Sequence, residues 1–263
     1  MVEILKDGFL DDKMQDKIKK VKVKYKDEVD LMYDFNRLTF KIFANYKNID
    51  AIGENLYLLP AFVEISKLYQ SAVIMLEYGF TNNFESIVRN MLELSFQMIY
   101  VFDDKDKVKN LEKYTYSETM KKLEYIRDNE LYNVIPKDIV DKRYEELAIL
   151  KAELKKEGAK NPPNVKDMCK ILGLEKEYSY YQLLSDYTHN DFSVIYDLNV
   201  FTEKGVFVNS NGNYTNFKNN SLRLLSTLEL TLVKMVDRFV PSLKKEYEKL
   251  IQKGIKLYKK QEE

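Results

Sequence analysis

The chain of 263 residues has no tryptophan, one cysteine and one histidine. The lone Cys169 excludes an intramolecular disulfide and any multi-cysteine zinc site. The lone His189 excludes a ferritin-like di-iron centre, which needs Glu-x-x-His pairs on two helices. Glycine and proline are scarce, at eight and five residues. Sheet-rich and Rossmann-type folds spend glycine on tight turns, so this scarcity points to long helices. No uninterrupted run of about 20 apolar residues exists. Arg89 and Glu93 break one apolar window, and Arg223, Glu229 and Lys234 break another. No membrane partner is therefore expected. Glu3, Lys6 and Asp7 stand where a secretory leader would be apolar, so the expected location is cytoplasmic.

An excess of one charge is also missing, because Lys plus Arg and Asp plus Glu number 42 each. Nucleic-acid binders more often carry an overall basic excess. The basic concentrations, Lys17 to Lys26 and Lys244 to Lys260, are interspersed with acids and lack an aromatic stacking motif. They read as solvated helix faces, with contact to nucleic-acid phosphates as the alternative.

What is present is a 45% hydrophobic, 32% charged composition rich in Tyr and Phe. That describes a globular chain with charge-rich helix surfaces. Apolar spacing predicts one long helix from Met14 to about Tyr46. Val21, Val23 and Tyr25 alternate as a strand would, but the helical pattern continues past them. Asn48 to Pro60 reads as a connection, with Pro60 in the first turn of a helix to Tyr78. Phe84 to Phe102 is the most apolar helix and is expected at the centre. Helices follow at Lys107–Asp128, Pro136–Lys156, Val165–Leu172, Glu175 to about Tyr187 or Asp191, and from Ser221 to Pro241. Val200 to Asn213 is β-branched and rich in Asn and Gly, so a small hairpin or loop excursion is expected near 200–217. The expected fold is mostly all-α, a single-domain bundle of about six to eight helices. Residues 1–50 would form a long N-terminal helix, 60–240 the core bundle and 241–263 a charged helical tail.

Two constellations carry the candidate chemistry. Tyr181, Ser185 and His189 are spaced four apart and share one helix stripe. Histidine is the side chain that titrates near neutral pH, so His189 is the natural general acid or base. Ser185 would position it, Asp186 or Asp191 would orient it, and Tyr181 and Asn190 would bind substrate. The alternative is a packed, helix-terminal histidine bonded to a carbonyl. The second constellation is Glu85, Arg89 and Glu93 on the central helix, where Arg89 can pair with a carboxylate on either side. It is either an ion-pair network fixing helix register or a guanidinium facing His189 to hold phosphate. No cofactor is expected. Asp103 with Asp104, or Asp186 with Asp191, could ligate Mg²⁺ or Mn²⁺, but they read as ordinary helix-end carboxylates. Cys169 reads as a small buried hydrophobe.

Arg89-x-x-Leu92-Glu93, followed by Tyr181-x-x-Leu184-Ser185-x-x-x-His189, resembles an uncharacterised bacterial family of all-helical proteins with R-x-x-x-E and Y-x-x-L-S-x-x-x-H motifs. The likeness covers roughly residues 60–197. More broadly the chain resembles HEPN-type helical domains of abortive-infection and toxin–antitoxin systems, many of them dimeric, metal-independent ribonucleases. Their hallmark arginine is separated from the histidine by four to six intervening residues, where this chain has Leu184, Leu183 and Gln182. Arg89 would supply that group from another helix. The resemblance implies RNA as substrate, a homodimer, and a protein partner in a defence or toxin system. His189 and Arg89, with Glu93 and Ser185, would then be catalytic. The other reading is a non-catalytic interaction protein in which Arg89, Glu93, Ser185 and His189 form a structural polar network.

Overall fold

The computed structural model describes residues 12–45, 53–102, 104–189, 199–202, 205–208 and 213–259, with backbone alone at 188–189 and in the strands. The helices are α1 (Lys13–Lys24), α2 (Lys26–Ala44), α3 (Asn55–Tyr78), α4 (Thr81–Val101) and α5 (Lys105–Asp128). They continue with α6 (Lys137–Lys156), α7 (Val165–Leu172) and α8 (Glu175–His189). After strands β1 (Asn199–Thr202) and β2 (Gly205–Val208) come α9 (Phe217–Phe239), a 3-10 turn at Pro241–Leu243 and α10 (Lys244–Lys259). The strands pair antiparallel, with Asn199 opposite Val208 and Thr202 opposite Gly205. Ten α-helices among the described residues exceed the expected six to eight.

One reason is at Tyr25, where the predicted long N-terminal helix breaks in two. Tyr25 leaves helical geometry at φ −113°, ψ 37°. Its ring stacks on Phe217 at 4.3 Å, and its hydroxyl donates to the Tyr214 carbonyl at 3.3 Å. Contacts from the far end of the chain thus set the break. The period-two run resolves as helix: Val21 and Tyr25, four apart, are buried, and Val23 is exposed. The second reason is the tail, which is a packed helix. Tyr247 of α10 is buried, Leu250 and Ile251 join the core, and Lys41 of α2 pairs with Glu246 at 2.6 Å.

Pro60 also sits differently from expectation, inside α3 rather than in its first turn. A proline there forfeits one bond, to the carbonyl of Leu56. Leu56 is exposed, so water can answer that carbonyl. The α3–α4 corner turns on Gly79, held left-handed at φ 74°. Its N–H bonds the Leu76 carbonyl, and the next N–H reaches Met75, closing the helix end in the manner glycine permits.

α3 and α4 form the central pair. Phe62, Ile65, Tyr69 and Ala72 of α3 are fully buried, as are Phe84, Val88, Met91 and Phe96 of α4. α9 packs on α2, α3 and α4, while α8 and α7 cover another face of α4. By length and composition α3 is apolar enough to cross a membrane, but its apolar face is spent on this core. The α5–α6 hairpin carries a separate small core of Met120, Leu123, Val140 and Leu147.

Candidate functional site

The charged stripe of α4 faces α8 and α9, and each charge finds a different answer. α4 and α8 run antiparallel: Glu93 meets Tyr181, Arg89 meets Ser185, and the Ser86 hydroxyl donates to the Tyr187 carbonyl at 3.1 Å. Continued by two residues, that register brings the His189 backbone level with the first turn of α4. Spacing by four on both helices aligns the stripes, as side chains one turn apart share a face.

Arg89 is at the middle of the first cluster. Its Nη2 donates to the Tyr181 hydroxyl at 2.7 Å, its Nη1 to Glu93 at 3.2 Å and to Asn90 at 3.5 Å, and its Nε to Ser185 at 3.3 Å. The guanidinium carbon lies 4.5 Å from the centre of the Tyr181 ring. Tyr181 in turn donates to Glu93 at 2.9 Å. Burial, and then the hydrogen bond that Tyr181 donates to the Glu93 carboxylate, push the Tyr181 hydroxyl up to about 12. The side chains of Arg89 and Glu93 are 15% and 35% exposed, so the cluster sits at the solvent edge of the α4–α8 seam. Phe96 packs edge-on against Tyr181 at 6.1 Å and ties the cluster to the core.

Glu85 does not join it. The expected choice of partners for Arg89 resolves toward Glu93, and Glu85 turns to α8 and α9 instead. It accepts from the Tyr180 hydroxyl at 3.2 Å and faces Arg223 of α9 at 3.8 Å. The Arg223 guanidinium lies 5.2 Å from the Tyr180 ring centre. Adjacent tyrosines on α8 point about 100° apart, which lets them reach the two carboxylates on either side of Arg89. Sequence reasoning missed Tyr180 and Arg223. The available signals were an arginine inside the apolar-periodic run of α9 and a second tyrosine next to Tyr181 on α8.

Burial pushes the Glu85 carboxyl above its usual range, with Arg223 and Tyr180 opposing. The folded chain therefore holds this proton more tightly than the unfolded chain. The side chain's contribution to stability is full below the unfolded pKa and is lost as pH rises through the raised folded value. Glu85→Gln keeps an acceptor for Tyr180 without a charge to bury. It is expected to raise the melting temperature at pH 7 by about 3 °C, a gain that vanishes on acidification to about pH 4. A lower melting temperature at pH 7 would show instead that pairing with Arg223 outweighs desolvation.

Of the other predicted residues, His189 is the last residue of α8, and its side chain lies outside the described residues, as do Asn190, Asp191 and Asp103. Asp186 is exposed, and Asp104 caps α5 by accepting from the Asp106 N–H at 3.0 Å. Cys169 is buried in α7, and that burial pushes its thiol up to about 11, an unreactive state. Among the described residues no group of three or more His, Cys, Asp and Glu side chains is arranged to hold a metal. In the basic runs Lys22 pairs with Glu77, Lys244 with Asp237 and Lys253 with Asp34.

No curated protein and no solved structure matches the chain. A model of a family of unknown function (DUF5677) matches residues 55–206, more than half of the chain. The match opens at α3 and includes α4 and α8, hence the Arg89 cluster, while α9 with Arg223 lies beyond it. This chain, with its helical build and its α4–α8 seam, belongs to the DUF5677 family of proteins of unknown function.

Proposed function

We propose that the chain is a HEPN-like helical effector or accessory protein of bacterial anti-phage, abortive-infection defence, cleaving RNA without a metal ion. One observation supports this reading: Arg89, Glu93, Tyr181 and Ser185 meet at a solvent-edged seam in the turns of α8 that end at His189. In the reaction the RNA 2′-oxygen bonds to phosphorus and the bond from phosphorus to the 5′-oxygen breaks. His189 accepts the 2′-hydroxyl proton and returns it to the departing 5′-oxygen. A guanidinium stabilises the charge that builds on the phosphate oxygens. The chain is expected to act as a homodimer, which a monomer mass in light scattering would rule out.

The test is cleavage of single-stranded RNA by the purified chain in the presence of chelator. His189→Ala should lower the rate by about 100-fold or more and leave the circular dichroism spectrum unchanged. Full activity in that variant sinks the mechanism.

A second reading, a non-catalytic interaction protein, is favoured by the bonds that already occupy Arg89. Under it the cluster fixes α8 on α4, no loss is specific to His189, and Arg89 variants lose stability alone.

A further inference from the structure

The two arginines of the site are in opposite conditions. Arg89 is 15% exposed, and each of its three nitrogens donates to a protein oxygen, one of them a carboxylate. Its charge is answered and its donors are used. Arg223 is 49% exposed, and its carboxylate neighbour among the described residues is Glu85 at 3.8 Å, beyond hydrogen-bond length. Glu85 gives its other oxygen to Tyr180. The Tyr180 ring lies 5.2 Å from the guanidinium carbon and limits how it can turn. Arg223 also donates a hydrogen bond to the Tyr180 hydroxyl. A planar, permanently charged fork with five N–H donors and a held orientation suits two oxygens of a phosphate.

Its position also fits. Glu85, which Arg223 faces, adjoins Ser86, whose hydroxyl bonds the Tyr187 carbonyl two residues before His189. Arg223 therefore faces the α4 turn that carries Glu85, one turn nearer the start of α4 than Arg89, and the Tyr180 ring of α8.

We infer that Arg223, on a helix outside the matched region, is the guanidinium that receives an RNA phosphodiester at this site, and that Arg89 serves to position α8. The identity of the anion rests on the reading given under Proposed function; the place of its binding rests on Arg223, Tyr180 and Glu85.

The experiment is fluorescence-anisotropy titration of the full chain with a 5′-phosphorylated, single-stranded oligoribonucleotide at several salt concentrations. Arg223→Ala should weaken binding about tenfold and flatten the slope of log affinity against log salt by about 0.7, the share of one phosphate on a single strand. Arg223→Lys, which keeps the charge and loses the fork, should fall between the two. Lys256→Ala on α10 should bind as the native chain does. Arg223→Ala leaves the buried Glu85 without its counter-charge, so its melting temperature should fall, and an unchanged far-UV circular dichroism spectrum at the titration temperature confirms that it folds. Native-like binding by Arg223→Ala, an equal loss in Lys256→Ala, or no binding by the native chain overturns the inference. Binding that depends on Arg223 in a chain that cleaves no RNA upholds the inference and removes the ribonuclease reading.

Discussion

Phe96→Ala is expected to destabilise the chain by about 4 kcal/mol and lower its melting temperature by about 10 °C. Phe96 is fully buried in α4, in the core shared by α3, α4 and α9. Truncation removes the transfer energy of a phenyl ring and leaves a cavity that packed helices close only in part. The loss should also reach the site, because the Phe96 ring meets the Tyr181 ring edge-on. Chemical denaturation followed by far-UV circular dichroism gives the first number. Tyrosine fluorescence, unobscured in a chain without tryptophan, reports the second. A cost under about 2 kcal/mol would mean that neighbouring side chains collapse into the space and that the α4 core is looser than described.

Arg89→Ala should cost about 2 kcal/mol and about 5 °C. A fully exposed ion pair is worth about 0–1 kcal/mol, and breaking a buried one costs about 3–5 kcal/mol. Arg89 lies between these limits, since its own side chain is well covered but Glu93 is 35% exposed and can be rehydrated. Arg89→Lys should recover less than half of the loss, because one ammonium cannot serve Glu93, Tyr181 and Ser185 from three directions. A double-mutant cycle with Tyr181→Phe should give a coupling of about 1 kcal/mol. Additive losses would show that the 2.7 Å bond from Arg89 to the Tyr181 hydroxyl contributes nothing of its own.

Much of this arrangement is legible in the residues. Periodic apolar spacing marks α3 through α9 because each helix must hide one face. The four-residue spacings of Glu85, Arg89 and Glu93 and of Tyr181 and Ser185 mark the faces that meet. What is not legible is partner choice. Glu85 and Glu93 are equivalent neighbours of Arg89 in sequence, and the approach of α9, which brings Arg223 to Glu85, separates them. The break at Tyr25 has the same character, since Phe217 and Tyr214, almost two hundred residues away, draw the ring out of the helical line. Local pattern reports which side of a helix is apolar. It is silent about which distant helix comes to lie there.

The small core within the α5–α6 hairpin has a consequence for how the molecule opens. Met120, Leu123, Val140 and Leu147 pack with one another and apart from the main cluster. A unit that closes on itself can open by itself, at a fraction of the free energy of global unfolding. Backbone amides of the outer α5 and α6 turns should therefore exchange with deuterated solvent well before those of α3, α4 and α9. If so, the hairpin can breathe, or receive a partner, while the α4–α8 seam stays shut.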